Sequence, residues 1–375
     1  MKERNLLVGN GINIAASKNN DYKNFEIISR LTKNLETNRY DDVFNKSITS
    51  TELLIILHQL NDYFNKMLVG LHALKITQTD DEMVTLIDIS RRYNSKNNDL
   101  ISVGIEDYFF VMKMVFNQVG DEDTPLNALY DGLKHLFLDS IYNDGAIETL
   151  YTKLSPYSNE LNKYKSIFTV NYDTNLDKLT QNTVYHLHGS FDMLDDTYRN
   201  DTILGYLADK NQTMSTVIET KSHLFCNAIM AFSGNKKLEI INTYSNSNVA
   251  MNEIINRLSD PLDFEAQQYF EKLKKSTKEK DIFAYQSIFA KLNNASLQNT
   301  EYPIDNLRNI NGELDILGMS PNNDSHIFDI INSNVNLKNV VYYSASDEDS
   351  FAAQRIIKKP LQIRNVHKYW KSIGL

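Results

Sequence analysis

Short apolar runs that stop abruptly at glycine or polar residues constrain this chain more than any other feature. Asn5–Val8 stops at Gly9-Asn10-Gly11-Ile12-Asn13, and Ser166–Val170 stops at Asn171-Tyr172-Asp173. Thr183–Leu187 stops at His188-Gly189, Glu313–Leu317 at Gly318-Met319-Ser320, and Asn339–Tyr343 at Ser344. Apolar runs this short read as strands buried on both faces. Long stretches with helical spacing separate most of them. The pattern therefore predicts a discontinuous α/β protein. In open α/β sheets ligands bind beyond the carboxyl ends of the strands, and that is where the polar and glycine residues fall.

The segments imply one discontinuous domain over residues 1–375. Its α/β core comes from about 1–45, 160–200 and 305–375, and helical insertions occupy about 45–160 and 200–300. Helices are expected over Phe25–Leu35, through much of 50–164, and over Asn211–Phe232, Val249–Leu258, Phe264–Leu273 and Phe283–Leu292. Further helices are expected at Ser325–Ile331, Ser350–Ile357 and Val366–Ile373, with a strand at Leu238–Tyr244. An apolar content of 42% over 375 residues supplies a sizeable core.

A net charge of −9 argues against direct nucleic-acid binding, which needs clustered Lys and Arg. Cys226 is the only cysteine, so no disulfide forms within the chain and no cysteine-rich zinc site is possible. No apolar run is long enough for a membrane span or a signal peptide. A soluble, cytoplasmic protein without membrane contact is expected.

The strand ends carry the candidate chemistry. Glycines in Gly9-Asn10-Gly11 allow a tight turn and close approach of a phosphate or ribose. The spacing is not G-x-G-x-x-G, because Ile14 stands at the third glycine position. The Asn171 amide can donate and accept without titrating, and His188 suits base duty because an imidazole ordinarily titrates near neutrality. Plainer readings stand beside these: Asn171 or Asp173 as a helix N-cap, and Ser320 as a turn serine. His58, His72 and His135 lack metal-ligand spacing, and His223 and His326 read as surface residues.

Taken together and in order, Gly9-Asn10-Gly11-Ile12-Asn13, Thr169-Val170-Asn171-Tyr172-Asp173, Leu187-His188-Gly189 and Gly318-Met319-Ser320 resemble motifs of the sirtuin family. Asp21-Tyr22-Lys23 is a weaker match to that family's Asp-Phe-Arg. The resemblance covers only the α/β segments and implies a Rossmann-like, sirtuin-type parallel sheet. The family's four-cysteine zinc module has no counterpart here. That departure is similar to divergent bacterial sirtuin-like antiphage proteins that hydrolyse NAD, and the same motifs resemble the AbiH group of abortive-infection proteins.

The resemblance implies an NAD glycohydrolase that takes NAD as substrate, needs no metal, and yields nicotinamide and ADP-ribose. Asn171 and His188 would be catalytic, with His188 chosen over His186 because it precedes the glycine. Asp173 would bind the nicotinamide carboxamide. Gly9, Asn10, Gly11, Ile12 and Asn13 would approach the pyrophosphate and its ribose, and Gly318 and Ser320 would contact the phosphates or the adenosine ribose. Control through a homo-oligomer or a partner such as an ATPase would be expected of a defence effector. Alternatives are a non-catalytic NAD or ADP-ribose sensor within a defence complex, or transfer of acyl or ADP-ribosyl groups.

Overall fold

The computed structural model describes residues 3–17, 20–41, 48–70, 79–93, 97–119, 124–194, 219–230, 234–293 and 302–374. Six strands form one sheet: β1 (Arg4–Val8), β2 (Ser166–Thr169), β3 (Val184–His186), β4 (Gly312–Leu317), β5 (Leu337–Ser344) and β6 (Leu361–Asn365). Their order is β3-β2-β1-β4-β5-β6, and every pairing is parallel. This is the doubly wound order, which reverses direction between β1 and β4. The polar residues after β1, β2, β3 and β4 therefore share one edge of the sheet.

Alternation along the strands divides the core. Leu6, Val8, Ile167, Leu317 and Tyr343 face one side, and Leu7, Phe168, Leu314, Ile316 and Tyr342 face the other. The first side packs on α2 (Asn24–Glu36), α3 (Ser50–Leu68), α5 (Ile105–Val119) and α6 (Thr124–Tyr142), through Leu31, Leu57, Phe109 and Phe137. Between α3 and α5 lies α4 (Asp80–Arg92), and a one-and-a-half-turn helix, α1 (Gly11–Ala16), follows β1 directly. The opposite side packs on α10 (Ser325–Ser333) and α11 (Asp347–Ile356), through Ile327, Phe328 and Ala353. The helix α12 (Val366–Ser372) returns to the first side with Trp370. Burying each large apolar side chain contributes about 1.5–3 kcal/mol, so the two layers hold the sheet from both faces.

A second helical group, α7 (Gly234–Leu258), α8 (Phe264–Lys275) and α9 (Glu279–Asn293), has a small core of its own around Ile255, Leu273 and Ile288. The expected strand at Leu238–Tyr244 lies inside α7. Leu238 and Ile241, three apart, turn toward the sheet and so use helical spacing. The expected helix Asn211–Phe232 also differs: Glu219–Phe225 is a 3₁₀ segment, and Cys226 pairs with Leu194 in an antiparallel bridge. Residues 211–218 and 231–232 of that expectation lie outside the described residues. Strand β6 was not expected; it is a half-exposed edge strand with only Leu361 and Ile363 as apolar residues. Among the described residues no helix is long and apolar enough to cross a membrane.

The turns after β1 and β4 touch. Gly9 N donates to Leu317 O at 3.0 Å and Gly11 N donates to Gly318 O at 2.7 Å. A Cβ on Gly11 would lie 2.5 Å from Gly318 Cα, so both glycines serve the contact between the two turns. Gly318 itself has φ +67, and a Cβ there would meet Ile12 N at 2.9 Å. Gly318→Ala should therefore cost about 1–3 kcal/mol through backbone strain and steric conflict. A urea midpoint equal to wild type would show that the paired turns are not rigid.

Candidate functional site

The site is built on the carboxyl edge of β1, β2 and β3. Asn13, in the first turns of α1, donates from Nδ2 to Asp173 Oδ2 at 2.6 Å. Asp173 Oδ1 accepts from Asn175 Nδ2 at 2.6 Å and from Asn175 N at 3.2 Å. Asn171 Nδ2 donates to Gly9 O at 3.4 Å, and Asn10 Nδ2 donates to Tyr22 O at 2.8 Å. The Gly-Asn-Gly-Ile-Asn turn and the Asn-Tyr-Asp strand end are therefore one connected unit, although 160 residues separate Asn13 from Asp173. Burial raises the Asp173 pKa, against the hydrogen bonds from Asn13 and Asn175. Asp173 also performs the plainer task of holding the turn at Asn175.

Gly318 packs on Gly11, while Ser320 accepts from Asn322 N at 3.4 Å as an ordinary turn serine. His186 and His188 have separate partners. His186 contacts Asn171 O at 3.2 Å and Asp177 Oδ2 at 3.1 Å. Burial pulls the His186 pKa down, but Asp177 outweighs it and the net shift is upward. His188 Nε2 faces His326 Nε2 at 3.0 Å, their rings stacked with centroids 5.1 Å apart. Asp324 Oδ1 lies 4.0 Å from His188 Nε2. Burial, then Lys237 and His326, push the His188 pKa well down. Burial and Lys237 lower His326 to about 3, and burial raises Asp324 to about 7.

Two expectations about histidines are corrected. His326 is completely buried and partnered by His188. His223 is buried, bonds Asp139 Oδ1 at 2.8 Å, and stacks on Tyr142 at 4.0 Å. Packing of the second insertion over the first encloses His223, and the loop after β4 carries His326 to the end of β3.

A segment expected to lie inside the helix Asn211–Phe232 instead closes this edge. Ile229 N donates to His188 O at 2.9 Å, and Ser190 N donates to Asn227 Oδ1 at 2.8 Å. Gly189 adopts φ +85, and a Cβ there would lie 2.4 Å from Asn227 O, so only glycine admits this segment. Behind it, the fully enclosed Lys237 of α7 pairs with Glu106 of α5 at 2.9 Å. Asn227, Lys237, Asp324 and His326 carry no local motif; their position over strand ends is their only signal. The chosen residues are nearly inaccessible: Asn171 is 8% exposed, Asp173 3% and His188 2%.

The fold and edge together define a doubly wound α/β protein with a buried polar cluster beside the point where strand order reverses. Comparison of the chain with protein-family models, curated proteins and solved structures finds no match.

Proposed function

We propose that this protein is an NAD glycohydrolase that releases nicotinamide and ADP-ribose, acting as a regulated effector of antiphage defence. One observation carries the reading: the Asn13–Asp173 contact joins the first turn to the second strand end beside the strand-order reversal, where doubly wound sheets bind dinucleotides. The resemblance of the same turns to sirtuin motifs supports it. In this reading the turn Gly9–Asn13 faces the pyrophosphate and its ribose, Gly318 and Ser320 face the adenosine side, and Asp173 recognises the nicotinamide carboxamide.

Nicotinamide leaves NAD as a neutral molecule from a cationic precursor, so the bond breaks without a strong general acid. The ribose left behind is oxocarbenium-like and is attacked readily by water. Asn171 orients that water and His188 receives its proton. A base with a lowered pKa is sufficient against so reactive a carbon, and its neutral form is ready to accept. The burial of all three side chains favours control by opening of this edge, through self-association or a partner such as an ATPase.

The test is purified protein with NAD, following nicotinamide and ADP-ribose, alongside Asn171→Ala and His188→Ala. Turnover at the wild-type level in both variants would sink the assignment. Tight NAD binding with no product in any oligomeric state would favour a sensor.

A further inference from the structure

The strongest unexplained feature is the cluster of His188, His326 and Asp324, whose side-chain donor atoms all lie within 4.8 Å of one another. We propose that His188 Nε2, His326 Nε2 and a carboxylate oxygen of Asp324 form a binding site for one divalent transition cation of the zinc class. Two imidazoles and a carboxylate are ligands suited to such ions, and three protein ligands leave a position for water. An ion about 2.1 Å from each donor would set tetrahedral donors about 3.4 Å apart. The two ring nitrogens, at 3.0 Å, need to part by a few tenths of an ångström, and Asp324, at 4.0 Å from His188, needs to close by about as much.

Two further observations point to a cation. Asp324 occupies the N-cap of α10, where aspartate ordinarily caps, yet its side chain makes no cap hydrogen bond. It is buried, and its Oδ1 lies 4.0 Å from His188 Nε2. The Nε2 atoms of His188 and His326 face one another at 3.0 Å with at most one proton between them, so both ring nitrogens are directed at one point. Lys237 is the opposing charge nearby, but it is paired with Glu106 at 2.9 Å. Lys237 acts on Asp324 from a distance, but among the described residues no lysine or arginine bonds the Asp324 carboxylate.

This site does not depend on the hydrolase reading. Where both apply, an ion takes the His188 ring nitrogen out of use as a proton acceptor, and the zinc-loaded protein is the slow form.

The experiment is cobalt titration of the full, chelator-stripped chain, following visible d–d absorption, with zinc content measured after dialysis. Wild type should bind one equivalent. His326→Ala and Asp324→Ala should weaken binding by more than the ~10–100-fold that loss of an outer-shell partner costs. His58→Ala, at an exposed position on α3, should bind as wild type does. Zinc should also raise the wild-type melting temperature and leave that of His326→Ala unmoved. Absence of d–d bands in folded wild type would overturn the proposal, as would equal binding by folded wild type and His188→Ala/His326→Ala. Should that double variant not fold, the wild-type bands and stoichiometry decide alone. Ion binding together with no nicotinamide release by the metal-stripped chain in any oligomeric state keeps this site and sinks the hydrolase; release without ion binding does the reverse.

Discussion

Nicotinamide release is expected to fall by about 10²–10⁴-fold in His188→Ala, the range that loss of a general base costs. In Asn171→Ala it should fall by about 10²-fold, as misplacement of a reacting group by an ångström does. Asp173→Asn separates recognition from folding. The Asp173 carboxylate is buried, and Glu148, of the same sign, adds to the cost of that burial. An amide of equal shape removes that cost. Asn13 Oδ1 has no partner, so a flip of the Asn13 amide can present an acceptor to the new side chain. Stability should stay within about 1 kcal/mol of wild type, while activity falls with the loss of the acceptor for the nicotinamide amide.

The pH dependence supplies a check. Because the folded pKa of Asp173 is raised, the folded state holds this proton more tightly than the unfolded chain does. Wild type therefore loses stability as pH rises from the ordinary carboxylate value through the folded value. Asp173→Asn should lack that part of the decline in urea midpoints. Wild-type turnover by Asp173→Asn would remove the carboxylate from nicotinamide recognition.

Arg4→Ala should cost about 3 kcal/mol, the lower part of the range for breaking a buried ion pair. Arg4 Nη2 lies 2.6 Å from Asp315 Oδ2, and the Tyr164 hydroxyl donates to the same oxygen at 2.8 Å. Asp315 is 1% exposed and its Oδ1 has no partner, so removal of Arg4 leaves a buried charge answered by one hydroxyl. The loss should fall short of the largest values because Arg4 itself is 36% exposed. Replacing both partners by Arg4→Met/Asp315→Leu should restore most of the stability. The readout is the urea midpoint at unchanged slope. These residues line a groove of about 570 Å³ near the amino ends of the strands, so activity per folded molecule should not change. A double variant as weak as Arg4→Ala would show that shape, and not charge, is at stake.

The central strands were legible because burial on both faces demands continuous apolar runs, as Leu6-Leu7-Val8 and Ile167-Phe168 are. An edge strand has no such demand, and Leu361–Asn365 alternates polar and apolar residues in a way any turn could. Leu238–Tyr244 misled through its β-branched content, which tertiary contact with Ile241 overrode. The motif residues Gly9–Asn13, Asn171, Asp173 and His188 could be picked out because each directly follows a strand. His326 could not. Its relation to His188 spans 138 residues and depends on the path of the loop after β4.

Strand β1 lies at the centre of the sheet, yet its two neighbours begin at residues 166 and 312. Such distant pairing makes for slow assembly. On the ribosome, the first strand waits for most of the message to be read before its second side is covered. A product stopped before Gly312 has no β4, no Gly318 turn and no Asp324 or His326. On the proposed hydrolase reading, a fragment ending before Gly312 lacks part of the edge where the chemistry is placed and should not consume NAD.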